Sequence, residues 1–169
     1  PSALPDNRTI WSTMGAGFTG WWLNTGPTGI PRMFIGTGSS WQLDQSAPPL
    51  AAGATSHVVA TYDGSRARLY VNGALVSTGP VAALAPVSGS VMRFGAFSTG
   101  PGQYWPGVLD DASVYPFALS VSQVQGHYEA SVNGSSATSA ATAVVVGTPP
   151  SNSALPVVSG SAVVGGVLS

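Results

Sequence analysis

The sequence predicts an all-β fold, an antiparallel β-sandwich with one short helix near the C-terminal end of the domain. Glycine (22 residues) and proline (14 residues) divide the 169-residue chain into short runs rich in valine, threonine and aromatic residues, which are the residue types that favour strands. Asp63-Gly64 and Asn72-Gly73 each separate two such runs, and these dipeptides are strong hairpin signals. Many short strands at a spacing of roughly 8–12 residues indicate a sandwich.

Each run is predicted to form a strand, and the predicted strands in order are 8–13, 20–24, 32–36, 57–62, 67–71, 75–78, 92–97 and 108–115. In the run 67–71, alternation places Leu69 and Val71 on one face and Arg68 and Tyr70 on the other. This period of two residues is typical of strands.

The helix is predicted to begin after Ser120. Val121, Val124 and Tyr128 follow at helical spacing. Gln123 stands three residues after Ser120, which is the arrangement of a capping box.

The chain carries very little charge, and this excludes several classes of function. Only 7% of its residues are charged, the net charge is -1, and the five basic residues are scattered arginines. Nucleic-acid binding needs clustered Lys and Arg to displace counterions, and attraction to an acidic membrane needs the same.

There is no cysteine, so disulfides and thiol chemistry are excluded. No apolar run approaches the roughly 20 residues that span a bilayer, so we expect no membrane insertion.

Composition divides the chain into three parts. Residues 1–131 are the predicted sandwich domain. Residues 132–154, rich in Ser, Ala, Thr and Pro, are predicted to form a linker or arm. Residues 155–169 turn apolar again, and we interpret them as the start of a further β module.

Several motifs between residues 57 and 128 occur in a distinctive order. They are 57–64 (HVVATYDG), 68–73 (RLYVNG), 92–95 (MRFG), 107–115 (GVLDDASVY) and 118–120 (ALS). With these motifs, about residues 8–130 resemble a laminin-G-like, concanavalin A-like jelly-roll domain. Ser56 stands where the family usually has Trp, and Asp110-Asp111 stands where it has Asp-Glu.

The resemblance also bears on the two ends of the chain. Residues 1–7 are too few to supply the opening strands of the family, so we expect either a domain that lacks them or another segment at that sheet edge. Residues 155–169 weakly resemble the start of a bacterial immunoglobulin-like repeat. Both ends suggest a fragment of a larger modular protein that is extracellular, on the cell surface or on a phage virion.

Aromatic side chains are the main candidates for ligand binding. Consecutive strand residues face opposite ways, so either Trp21 or Trp22 is expected to point outward. An exposed indole can stack on a sugar ring or anchor a protein contact. The full candidate set is Trp21, Trp22, Trp41, Tyr104, Trp105, Asn24 and Gln103. The alternative is that most of the tryptophans fill the core.

The resemblance implies calcium as a cofactor, although none is required by the predicted fold. Calcium binds six to eight oxygen atoms. The candidate ligands are Asp110, Asp111 and Asp44. Hydrogen bonding of these carboxylates to neighbouring backbone is the alternative.

Glycosidases share this jelly-roll fold, and they normally use two carboxylates about 5–10 Å apart. The chain has one glutamate, Glu129, and the adjacent Asp110 and Asp111 would face opposite ways in a strand. We therefore predict that the chain is not an enzyme. The leading hypothesis is a module that binds a glycan or cell-surface ligand. The alternative is a structural or assembly domain that contacts neighbouring copies or other chains through its tail and open sheet edge.

Overall fold

A computed structural model describes residues 5–45, 48–100 and 102–133, and these residues form a two-sheet β-sandwich with one helix. The elements in chain order are β1 Arg8–Gly15, β2 Thr19–Thr25, a 3₁₀ turn Pro27–Gly29, β3 Pro31–Gly36, β4 Trp41–Asp44, β5 Val58–Tyr62, β6 Arg66–Val71, β7 Ala74–Val81, β8 Arg93–Phe94 and α1 Val121–Asn133. The predicted all-β fold class is confirmed.

All strand pairs within the two sheets are antiparallel. One sheet has five strands in the order β4-β3-β2-β1-β8, and the other has three in the order β5-β6-β7. A bulge between Thr9 and Trp11 shifts the β1–β2 register. The Asn72-Gly73 turn joins β6 to β7 with left-handed φ angles of 50° and 77°, as a two-residue hairpin turn of type I′ requires.

The main core lies between the two sheets. Leu23, Met33 and Ile35 from the five-stranded sheet pack against Ala67 and Leu69 from the three-stranded sheet. Full burial of a Leu, Ile or Met side chain contributes about 1.5–3 kcal/mol each. These contacts fix which face of each strand points inward.

A second, smaller core lies on the other side of the three-stranded sheet. Tyr70 and Val59 pack there against Leu119 and against Val124 of α1. Thus Leu69 and Tyr70, adjacent on β6, face different cores, as the alternation predicts.

The predicted capping box at the start of α1 is confirmed. Gln123 Oε1 accepts a hydrogen bond from the Ser120 N–H at 2.8 Å. The Gln123 N–H in turn donates to Ser120 Oγ at 3.3 Å. These two bonds satisfy backbone donors that a helix start otherwise leaves unpaired.

Two strand predictions are wrong or incomplete, and one observed strand was not predicted. The predicted strand 108–115 is absent, because no other described segment forms a hydrogen-bonded ladder with it. The left-handed φ of 51° at Asp111 also bends it. The predicted strand 92–97 shortens to β8, and β4 was not predicted because its four residues lack a strand-like run of β-branched residues.

The described residues all belong to the first of two units into which the chain divides, Pro1–Ser136. Helix α1 continues through Asn133, two residues beyond the predicted domain boundary. The rest of the predicted arm and the predicted module at 155–169 lie outside the described residues. Within the described part, no helix is long and apolar enough to cross a membrane.

Candidate functional site

The five-stranded sheet presents an outer face on the side away from the core. Leu23, Met33 and Ile35 point inward, so the residues that alternate with them point outward. We call this set the outer face, and its members include Thr9, Ser12, Trp22, Asn24, Arg32, Phe34, Trp41 and Leu43.

A stacked aromatic pair lies at the centre of the outer face. Trp22 on β2 is directly opposite Phe34 on β3, and their ring centroids are 5.3 Å apart with an interplanar angle of 22°. Phe97, from the segment that follows β8, packs edge-on against Trp22 at 5.0 Å. Both members of the stacked pair are half-buried. The pair is therefore supported by neighbours and keeps part of its ring surface accessible.

The orientation of the Trp22 indole is fixed by a hydrogen bond. Its Nε1–H donates to Thr9 Oγ1 at 3.0 Å. Thr9 is fully buried, and its backbone N–H donates to the Gln103 carbonyl at 2.8 Å. The segment that contains Gln103 is thereby held against β1, next to the aromatic pair.

The Arg32 guanidinium is fixed beside the aromatic pair. Its Cζ lies 5.5 Å from the centroid of the Phe34 ring, which is within the range of a cation–π contact. Its Nε–H donates to Asn24 Oδ1 at 3.2 Å. Its Nη2 donates to Asn7 Oδ1 at 2.6 Å and to Asp6 Oδ1 at 3.1 Å. The guanidinium is therefore oriented by three side chains.

Three predicted candidates, Trp22, Asn24 and Gln103, are brought together around Thr9. Asn24 is opposite Thr9 across β1 and β2 and has a relative exposure of 0%, so its role is to position Arg32. Asn24 Nδ2 and Gln103 Oε1 are buried and have no hydrogen-bond partner among the described residues. The polar end of the outer face thus combines oriented and unpaired hydrogen-bonding groups.

The other four predicted candidates lie away from the stacked aromatic pair. Trp21 packs against the main core, where it contacts Trp11 edge-on at 3.9 Å. Trp41, opposite Gly36, lies on the outer face but at the end away from Arg32, where it contacts Phe18 at 6.0 Å. Trp105 is half-buried beside Gly95 and Gly107. Tyr104 is 58% exposed and directly follows Gln103, whose carbonyl accepts a hydrogen bond from Thr9.

The three candidate metal ligands do not converge. Asp44 is buried inside the sandwich and accepts a hydrogen bond from Ser77. Burial raises the pKa of the Asp44 carboxyl, and the bond from Ser77 partly opposes this increase. Asp110 and Asp111 are exposed on the segment before α1. Across residues 5–45, 48–100 and 102–133, no group of three or more acidic, His or Cys side chains could hold a metal ion.

A match to a known family follows from the sequence. A family model described as the concanavalin A-like lectin/glucanases superfamily matches residues 1–125. The chain belongs to this superfamily. The predicted resemblance to laminin-G-like, concanavalin A-like domains is confirmed.

One solved structure is also similar to this concanavalin A-like chain. It contains residues 221–444 of an S-layer domain-containing protein from Clostridium thermocellum ATCC 27405, with 17% sequence identity and a TM-score of 0.37. The match covers 72% of this chain and 62% of that one. No curated protein matches the chain.

Sequence reasoning missed Arg32, Phe34 and Thr9 as members of this concanavalin A-like outer face. Arg32 and Phe34 alternate with Met33 and Ile35 in the predicted strand 32–36, so their shared face could have been found from the period of two. Their position beside Trp22 depends on the β2–β3 register, which the sequence does not specify.

Proposed function

We propose that this chain is a non-catalytic module that binds a glycan on the outer face of its five-stranded sheet, within a larger extracellular or cell-surface protein. The observation that carries this proposal is the stacked pair of Trp22 and Phe34 beside the oriented guanidinium of Arg32. Membership of the concanavalin A-like superfamily supports a carbohydrate as the ligand class.

The chemistry of a sugar matches this arrangement. A pyranose ring has one face of C–H groups, which packs on an aromatic ring, and a rim of hydroxyl groups, which need hydrogen-bond partners. Phe34 offers accessible ring surface, while Arg32, Asn7 and Asp6 offer donors and acceptors at one end of the same face. The net charge of the chain is only -1, and this favours a neutral ligand over a polyanion.

The positions of the carboxylates support a binding module over a hydrolase. Acid-base hydrolysis requires two carboxyl groups that flank the same glycosidic bond. Asp44 is buried on the inner side of the sheet, Glu129 lies on α1, and Asp6 is paired with Arg32. Asp6 borders the outer face, where it forms an ion pair with Arg32.

The proposal is tested by screening the full chain on a glycan array and titrating each hit by calorimetry. We expect Phe34→Ala to weaken binding by about tenfold or more, because it removes the accessible ring from the centre of the site. The matched control is Phe117→Ala, which removes an exposed ring that packs against Tyr115, itself in contact with His127 of α1. Far-UV circular dichroism checks that both variants fold.

Three results would contradict the proposal. These are an array without hits for the folded chain, equal affinities for the two variants, and release of reducing sugar from the bound glycan. The last result would instead support the glycoside hydrolase alternative.

A further inference from the structure

The residues that precede α1 have the composition of a strand but no strand partner. Val108, Leu109, Val114 and Tyr115 are 88%, 37%, 49% and 40% exposed. Among the described residues, no backbone-to-backbone hydrogen bond involves residues 106–117. Segment 108–115 therefore exposes apolar side chains, and no described strand forms a backbone ladder with it, so it could accept another strand as a sheet edge does.

Segment 108–115 is held at both ends. Near its start, Leu109 Cδ1 lies 3.5 Å from the position that a Cβ on Gly95 would take, just after β8. At its end, the Tyr115 hydroxyl is 3.4 Å from His127 Nε2 on α1. The middle of the segment is thus presented on the surface between two fixed points, which lowers the entropic cost of pairing it with another strand.

We propose that segment 108–115 pairs antiparallel with the same segment of a second copy of the chain, about a twofold axis between residues 111 and 112. This interface goes beyond the proposed glycan-binding function and does not depend on it. In this register each residue faces a complementary one in the other copy: Val108 faces Tyr115, Leu109 faces Val114, Asp110 faces Ser113 and Asp111 faces Ala112.

Charge and hydrophobicity select this register over its neighbours. Moving the axis to residue 111 places the two Asp111 carboxylates opposite each other. Moving it between residues 110 and 111 places Asp110 opposite Asp111. Moving it to residue 112 places Asp110 opposite Val114. Like charges directly opposite each other destabilise a sheet, whereas apolar pairs stabilise it.

The segment complements itself, and this favours a second copy over an unrelated partner. A strand with two adjacent aspartates in its centre needs small polar or small apolar residues opposite them. Its own sequence supplies both, as Ser113 and Ala112. Closed twofold pairing of identical surfaces is also the commonest form of assembly.

One bend must straighten when the strands pair. Asp111 has a left-handed φ of 51°, and its N–H donates to Asp110 Oδ1 at 2.9 Å. An aspartate tolerates this conformation, whereas a β-branched residue strongly disfavours it. We therefore expect Asp111→Val to strengthen self-association.

The absence of cysteine in the chain permits a direct test of the register. Single-cysteine chains are made with Leu109→Cys or Val114→Cys and oxidised alone or as an equimolar mixture. We expect the mixture to give disulfide-linked dimers in clear excess over either chain alone. A second pair of variants, Asp110→Cys and Ser113→Cys, tests the neighbouring cross-strand position. Of two successive cross-strand pairs in an antiparallel ladder, one is a non-hydrogen-bonded pair with the shorter Cα–Cα distance, which suits a disulfide better. Val81→Cys, at an exposed apolar position on β7, is the control.

Sedimentation velocity of the full chain over a range of concentrations supplies the second measurement. We expect Leu109→Lys to raise the dissociation constant by about tenfold or more, and Val81→Lys to leave it unchanged. Mixing Leu109→Lys with Val114→Asp should restore association.

A mass that stays monomeric at every concentration would overturn the proposal. So would a dimer that persists in Leu109→Lys, which would indicate an interface elsewhere. Equal cross-linking of single and mixed cysteine chains would also overturn it. Glycan binding by Phe34→Ala is measured separately, so failure of either proposal is distinguishable from failure of the other.

Discussion

Ser77 Oγ on β7 donates a hydrogen bond to Asp44 Oδ1 on β4, and this bond joins the two sheets of the sandwich. Both residues are buried. The second carboxylate oxygen, Asp44 Oδ2, is buried without a hydrogen-bond partner within the described ranges. The Asp44 carboxyl group is therefore buried between the two sheets with one of its two oxygen atoms hydrogen-bonded.

The first prediction concerns the pH dependence caused by Asp44. Burial raises its pKa above the ordinary value of 3.8, so the folded chain binds a proton more readily than the unfolded chain. The contribution of Asp44 to stability is then greatest below pH 3.8 and is lost as pH rises through its folded-state pKa. We expect Asp44→Asn, which keeps an acceptor for Ser77, to be more stable than the parent chain at pH 7. Thermal melts between pH 4 and 8 measure this.

Asp63 is the matched control, because its surroundings shift its pKa in the opposite direction to that of Asp44. The guanidinium of Arg68, 2.6 Å away, and the backbone N–H groups of Arg66 and Ser65 hold the pKa of Asp63 well below its ordinary value. Asp63→Asn should therefore lower stability at neutral pH. If both asparagine variants shifted stability in the same direction, the burial argument for Asp44 would be wrong.

The second prediction concerns His57, which lies between β5 and α1. Its ring stacks against Tyr128 at 6.1 Å. Burial lowers the pKa of His57 below 6.5, and the nearby His127 lowers it further. At this site the unfolded chain thus binds a proton more readily, so the contribution of His57 to stability is present above pH 6.5 and is lost as pH decreases toward its folded-state pKa.

We expect the loss on going from pH 7.5 to pH 5 to be smaller in His57→Gln. Urea unfolding at several pH values, followed by tryptophan fluorescence, measures it. A loss of the same size in His57→Gln would assign the acid sensitivity to another group.

The third prediction tests the packing of α1. Val124 is fully buried against Tyr70, whereas Val121 on the same helix is exposed. We expect Val124→Ala to reduce the free energy of unfolding by about 1–3 kcal/mol, and Val121→Ala to change it by less than about 0.5 kcal/mol. Chemical denaturation measures both, and similar losses would mean that the helix packs in a different rotation.

The fourth prediction separates backbone strain from steric contact at two turn glycines. Gly64 and Gly73 have φ angles of 95° and 77°. A Cβ on Gly64 meets nothing within 4 Å, whereas one on Gly73 lies 3.0 Å from Tyr128 Cδ1. We expect Gly64→Ala to cost about 1–2 kcal/mol from its left-handed backbone alone, and Gly73→Ala to cost more. Equal costs in denaturation experiments would show that Tyr128 moves aside freely.

The features that the sequence predicts correctly depend on local chemistry. The capping box of Ser120 and Gln123 and the hairpin at Asn72-Gly73 each need residues close together in the chain. The opposite orientation of Leu69 and Tyr70 follows from the period of a strand. Local geometry alone determines each of them.

The features that the sequence does not predict depend on distant partners. Val108 to Tyr115 has the composition of a strand, yet a strand forms only where a neighbour supplies hydrogen bonds. The outer face depends on a register that sets Trp22 against Phe34, and many registers satisfy the same alternation. Trp21 and Trp22 are chemically identical candidates until the core contacts of Leu23 show which face is inside.

The two cores on either side of β6 have a mechanical consequence. A pulling force applied through the residues that follow Asn133 reaches α1 first. Few buried side chains attach the helix to the three-stranded sheet, with Val124 and Leu119 at the centre of the contact. We therefore expect the helix to detach from the sheet one turn at a time. The two sheets are expected to resist the force more strongly, because separating their strands requires whole ladders of hydrogen bonds to break. Under tension the domain is therefore expected to lengthen in two stages, with the helix extending while the outer face stays intact.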